Sequence, residues 1–527
     1  MKKILFILAI TLSLGYASCQ KADFAESYPN PAKISQTTVE KSYAGFVSAN
    51  RWYVLPDYWN YFVVLRTTVT RYTQAVGWVN SAGQYVPGYA GIDSRWSNYY
   101  NFLAQFRDLE KNYNALSKAD QDDRKIYMIT SKIYLYDHTQ KVVDLHGDIP
   151  FSEAGKLSDN GGDYDKSLPK YDGAEAIYTK MLDDLKAFSD ELNTLTVSSG
   201  ILAGFKTQDI VNKGDITMWK KYNNSLRLRI LNRVSGVAAF SSRASSEIAA
   251  IVGDPAKYPI ITENADNVQL KVTNINTEIH SKNFRTGLED WNGNLAGKAM
   301  IDHMKTASDP RLRVMFEPGV NASGAYIGLD PMLSSSAQDA LVAGGTISIY
   351  NRSTLSRNQF FPGVLINAPE VHFLLAEAHL RGGNATAART AYNNAVTKSI
   401  QFYYGLRALT NDNTSPALTP TNDTEIAAYL AHATVDWDAA TTPAAKLKLI
   451  AAQKWIHYSV VQPLESWSEI RRLDAPTFSF EIDNTNTQKT PPARWLYSGT
   501  ESVYNTVNYN TMKAKDNLTT RLFWDAN

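Results

Sequence analysis

A second cysteine is missing from this 527-residue chain, where Cys19 stands alone. That excludes an internal disulfide framework, a cysteine-rich metal centre and a dithiol redox pair. Charge of one sign is also missing: 53 Lys plus Arg face 52 Asp plus Glu, a formal net charge of +1. Without a basic excess the chain carries no electrostatic footprint for nucleic acid. After the first residues no apolar run approaches the roughly 18 residues of a membrane-spanning helix. The sequence has no G-x-S-x-G elbow, no P-loop and no H-E-x-x-H pair, so nucleotide, zinc-protease and serine-hydrolase chemistries find no support. The expectation is a protein that catalyses nothing and needs no cofactor.

The start of the chain reads Met1-Lys2-Lys3, an apolar run from Ile4 to Leu14, then Gly15-Tyr16-Ala17-Ser18-Cys19. This is the plan of an export leader, too short to cross a bilayer as a helix of about 20 residues. Small residues ahead of a cysteine suit lipoprotein processing, in which the thiol takes a diacylglyceryl group and the chain is cut before it. Residues 1–18 are therefore expected to be the leader, 19–40 a lipidated N-terminus and tether, and 41–527 the folded unit. Two or three acyl chains on Cys19 would anchor stably where one would not. The alternative is an ordinary leader cut near Ala17, since Tyr16 stands where lipoproteins more often carry Leu.

Helical periodicity dominates the rest. Ile177, Met181, Leu185, Phe188 and Leu192 share one face of a predicted helix over 170–192, with Asp172 and Glu175 as a capping box. A second helix starts near Asp215, places Trp219, Tyr222, Leu226, Ile230 and Val234 on one face and ends at Gly236. A third opens at Pro369 and closes at Gly382. Others fit 123–144, 385–400 and 445–461. Long Gly-, Asn- and Thr-rich loops separate them over 77–94, 262–294, 317–363 and 411–442, and loops of that length in a compact protein tend to be functional.

Few polar clusters suggest chemistry. His372 and His379 share a helix face near Glu377 but lack a further metal ligand, and the structural reading is preferred. Asp122 with Asp123, and Asp183 with Asp184, point about 100° apart on a helix and cannot flank one sugar ring. Glu469 and Arg472 have the i, i+3 spacing of an ion pair. The chain is rich in aromatics, with 30 Tyr and 11 Trp. Tyr72, Trp78, Tyr85, Tyr89, Trp96, Tyr99 and Tyr100 interleave with Gln74, Asn80, Gln84 and Asp93. Sugar rings stack on aromatic faces while their hydroxyls bond amides and carboxylates, so this mixture suits a carbohydrate platform. Trp96 and Tyr100 read as core. For Trp78, Tyr85 and Tyr89, stacking and packing both stay open.

Several motifs together resemble one family. They are Asp144-Leu-His-Gly-Asp-Ile-Pro-Phe-Ser-Glu-Ala154, Pro169 to Asp172, Gly214-Asp-Ile-Thr-Met-Trp219, Asn224-Ser-Leu-Arg-Leu-Arg229 and Asp309-Pro-Arg-Leu312. Glu370 to Gly382, Gln453-Lys-Trp455, Glu465 to Arg472 and Arg521-Leu-Phe-Trp-Asp525 continue the series. In order and spacing the chain resembles the SusD/RagB nutrient-binding lipoproteins, in their second SusD-like branch. The resemblance implies a mostly α SusD-like fold, with tetratricopeptide-like helical hairpins and long elaborated loops. It implies lipid anchoring in the outer membrane, facing the cell exterior, as a lid on a SusC-like TonB-dependent transporter that takes up a glycan or a peptide. Ligand contacts would come from loops, which retains Tyr72, Trp78, Tyr85 and Tyr89 and adds Trp291 in the Asp290-Trp-Asn-Gly loop. A peptide-binding member of the family and a surface glycan-degrading enzyme are the alternatives.

Overall fold

A computed structural model describes residues 37–525; the leader and Cys19 lie outside the described residues. Ten helices frame the core: α1 (Val39–Ala49), α2 (Tyr89–Asn114), α3 (Lys125–His146), α4 (Ala174–Thr194) and α5 (Ile216–Val234), then α6 (Ala238–Gly253), α7 (Ala368–Arg381), α8 (Ala385–Ala408), α9 (Pro443–Tyr458) and α10 (Pro463–Leu473). Consecutive helices pack as pairs. The tightest, α7 with α8, turns over Gly382, Gly383 and Asn384, where Gly383 adopts φ +76° and Asn384 caps α8 by accepting from the Ala387 amide. This is the mostly helical, hairpin-built architecture that the resemblance implied.

Strands are short. Ile149–Pro150 pairs antiparallel with Tyr171–Asp172, Val268–Leu270 with Gly363–Ile366, and Phe316–Glu317 with Ile349–Tyr350. The first pairing corrects the expected capping box. Asp172 accepts from the Phe151 and Ser152 amides, each at 2.9 Å, and α4 begins only at Ala174, whose amide donates to Asp148 at 2.8 Å. A carboxylate brought in by the turn around 148–150 thus caps α4, a long-range solution that local spacing does not disclose. The helix expected to start near Asp215 is α5, and Asp215 caps it by accepting from the Met218 amide.

One buried charge lattice ties five helices together. From α5, Arg229 donates to Asp137 on α3 at 2.9 Å and forks onto Glu370 on α7, while Arg233 reaches Glu465 on α10 at 2.5 Å and also binds Glu469. Glu469 accepts from Lys454 on α9 at 2.6 Å and from Arg472 at 2.6 Å, and Arg472 completes a bidentate pair with Glu377. The expected Glu469 and Arg472 pair is therefore present, but as one edge of a lattice. Burying so many charges is tolerable only because each finds counter-ions within hydrogen-bond reach. The lattice fixes how the helix pairs stack, and the stack in turn positions the loops.

Candidate aromatic binding site

The aromatic loop after Arg71 is packed, not open. Tyr72 is buried against Trp467 with its hydroxyl donating to the Tyr85 carbonyl. Trp78 is buried and donates to Gln84 at 2.7 Å, and Tyr85 is buried with its hydroxyl on the Glu481 carbonyl at 2.7 Å. The cause is a distant strap. Residues 478–483 cross this loop, with the Gln74 amide donating to the Ser479 carbonyl, the Gln84 amide to Glu481 and the Gly83 N–H to Asp483. The amides and aromatics that suggested a sugar platform are consumed by the chain's own strap, and for Tyr72, Trp78 and Tyr85 packing is what the structure shows. Trp96 and Tyr100 pack together on α2, their rings 4.9 Å apart. His372, half of the candidate histidine pair, donates from Nε2 to the Thr262 carbonyl at 3.0 Å.

Tyr89 and Trp291 are exposed. Tyr89, at 64 % exposure, is the first residue of α2 and lies against Gly499, where any side chain would collide with its ring. Among the described residues Trp291 is the most exposed large aromatic, at 88 %. Among the described residues no ring contact joins these two.

Trp291 instead belongs to a surface cluster that sequence reasoning passed over. Residues 59–65 form a turn of π-helix, closed by the Arg66 amide donating to the Tyr61 carbonyl at 2.8 Å. Such turns are rare and occur often at functional sites. Here the turn sets Tyr58 over Phe62, nearly parallel at 5.0 Å and 18°, and Trp291 meets Phe62 edge-on at 5.9 Å and 82°. Arg66 lies across Phe62 at 4.0 Å from the ring centre and donates to the Asp290 carbonyl. Burial draws its guanidinium down to about 10, with Arg71 adding to the effect, so Arg66 stays charged at neutral pH.

The backbone under Trp291 is strained. Trp291 and Asn292 both have φ +55°, a left-handed conformation costing about 1 to 3 kcal/mol for a bulky residue and concentrated at functional sites. Gly293 follows because a Cβ there would lie 2.7 Å from the Leu288 carbonyl and inside Arg66. Trp59, the first residue of the turn, is half exposed with its indole N–H on Ser94. The site therefore offers stacked and edge-on ring faces beside the exposed Asn292, over a largely buried Arg66. Two of the nearby carboxylates are engaged by the fold, while Asp290 beside Trp291 is exposed. Glu289 is locked by Arg357 at 2.8 Å and Ser356 at 2.6 Å, and Asp57 by Asn283 at 3.0 Å. The sequence signal was available in the density of aromatics over 52–62, but an aromatic run reads first as core.

Comparisons agree with this architecture. A chitin-binding protein of known structure is 22 % identical with a TM-score of 0.72, over 92 % of this chain and all of that one. A chitin-binding SusD homolog from Flavobacterium johnsoniae is also 22 % identical, with a TM-score of 0.69 over 93 % of this chain and 99 % of that one. A SusD homolog from Bacteroides fragilis NCTC 9343 is 21 % identical with a TM-score of 0.70, over 93 % and 99 %. No curated protein sequence matches the chain. Residues 63–498 match the SusD-like family described as starch-binding and associating with the outer membrane. That span is most of the chain, and the protein belongs to the SusD-like family.

Proposed function

We propose that the protein is a cell-surface glycan-binding lipoprotein, anchored through Cys19, that hands its ligand to a SusC-like TonB-dependent transporter without chemical change. The observation that carries the binding reading is Trp291, held in a strained conformation at 88 % exposure beside the Tyr58 and Phe62 stack. A large apolar ring kept in water at a backbone cost has a use, and flat ring faces beside polar edges match the C–H face and hydroxyl rim of a sugar. Two structural relatives are chitin-binding, which makes β-linked N-acetylglucosamine oligomers the first ligands to try, with starch-like α-glucans next.

Hydrolysis would need two carboxylates facing each other about 5 to 10 Å apart. Glu289 and Asp57 are engaged by the fold, and a facing pair would have to be built on the exposed Asp290, which supports holding a sugar rather than cutting one. The test is calorimetric titration of the mature protein with chitin oligomers, α-glucans and peptides. Trp291→Ala is expected to weaken glycan binding by about 1 to 3 kcal/mol, roughly 5- to 150-fold. Unchanged affinity in the folded variant would remove Trp291 from the site, and saturable binding of peptides alone would replace the glycan reading. Release of shorter saccharides during incubation would overturn the binding-only reading.

A further inference from the structure

A second site lies on the other face of the same π-helical turn. Tyr61 and Val64 help to line a cavity of about 60 Å³ whose remaining wall includes Tyr53, Arg95, Lys141, Gln462, Leu464 and Glu465. One buried water needs roughly 10 to 15 Å³ by the same measure, so several atoms fit. Tyr53, Lys141 and Leu464 keep some solvent contact, so the cavity has a mouth.

Its charges are unevenly satisfied. Lys141 is held by Asp137 at 2.7 Å, and Glu465 by Arg233 at 2.5 Å. Arg95 is only 2 % exposed, and among the described residues its Nε has no hydrogen-bond partner and its one hydrogen bond is from Nη1 to Asn98 at a long 3.3 Å. Its guanidinium otherwise rests on the Tyr53 ring at 5.1 Å. The first turn of α10 faces the same cavity. Gln462 gives it no side-chain cap, and the Leu464 and Glu465 amides have no acceptor among the described residues. A buried, unpaired guanidinium and an uncapped helix start ask for the same thing, an anion.

We propose that this cavity binds a carboxylate, whose two oxygens match the planar fork of Arg95 and the free amides of α10. The carboxylate comes either from a small free acid or from an acidic group on the cargo. The inference does not rest on the glycan reading, because the cavity and the Trp291 cluster occupy opposite faces of the 59–65 turn.

Thermal denaturation of the mature protein tests it, with sodium acetate as probe and sodium chloride at matched ionic strength as control. Acetate at about 100-fold its dissociation constant is expected to raise Tm by roughly 2 to 3 °C for a chain of this size. In Arg95→Met, which fills the space without the charge, the acetate shift should vanish while Tm in chloride does not fall below that of the parent. A second arm compares a neutral oligosaccharide with its uronate. Stabilisation by the uronate but not by acetate assigns the carboxylate to cargo, and stabilisation by acetate assigns it to a free acid. Absence of any Arg95-dependent shift with either acid overturns the proposal, as does an equal shift in Arg95→Met. Should Arg95→Met not fold, Arg95→Lys keeps the charge but loses the fork. Its acetate midpoint should weaken at least ten-fold, and an unchanged midpoint is likewise fatal.

Discussion

Replacing Glu469 by Gln strikes the charge lattice where three cations converge. Its carboxylate accepts from Lys454 at 2.6 Å and from Arg472 at 3.0 and 2.6 Å, and it also binds Arg233. The amide of Gln keeps the shape but presents an N–H to cations that need an acceptor, and it leaves one buried positive charge without balance. Breaking a buried pair in this way costs about 3 to 5 kcal/mol. The melting entropy of about 2 cal/mol/K per residue amounts to roughly 1 kcal/mol/K over the described chain, so Tm should fall by about 3 to 5 °C. Calorimetry at pH 7 measures this, and Lys454→Met in the same chain should recover part of the loss by removing the surplus cation. The two effects must couple, because the groups touch. A drop below 1 °C, or a double variant with strictly additive losses, would refute the account of the lattice as a mutually compensating unit.

Three further outcomes follow from other sites. Burial holds the His457 imidazole down at about 3, with Arg311 adding to the effect, so the folded protein keeps it neutral where the unfolded chain, near 6.5, takes up a proton. The unfolded state then binds more protons below pH 6.5, so stability should decline from pH 6.5 toward 3, and His457→Gln should flatten that slope in a pH series of melting curves. Gly293→Ala pushes a methyl into Arg66 and toward the Leu288 carbonyl. It should cost about 1 to 3 kcal/mol of stability and weaken glycan binding as the Trp291 loop shifts, and equal affinity and Tm would show the loop to be compliant. Trp78→Phe removes the indole bond to Gln84 inside the strap-covered loop. It should lower stability by about 1 to 2 kcal/mol and leave glycan affinity unchanged, the reverse of Trp291→Ala.

The helices were legible because their information is local. Asp215, Pro369 and Gly382 mark ends that the structure places within a residue or two, and the apolar face of α4 follows the expected series from Ile177 to Leu192. The motifs that carried the family resemblance were legible as motifs but not as physics. Asp144, Arg229, Glu370, Lys454, Glu465, Glu469 and Arg472 belong to one lattice whose partners lie up to hundreds of residues apart, and periodicity cannot join them. The binding loop failed for the same reason in reverse. Trp78 and Tyr85 sit in a sequence that looks exposed, yet Ser479 to Asp483 arrives from nearly 400 residues away to cover them. Trp291 needed no distant cover to be exposed, since an Asp-Trp-Asn-Gly loop already tells against burial. What the sequence could not convey was its partner, since the stack of Tyr58 on Phe62 is set by the π-helical turn. Residues whose surroundings are made by their own neighbours can thus be read from the chain, whereas a surface assembled from 58–66 and 290–293 exists only once the helix stack has brought the two together.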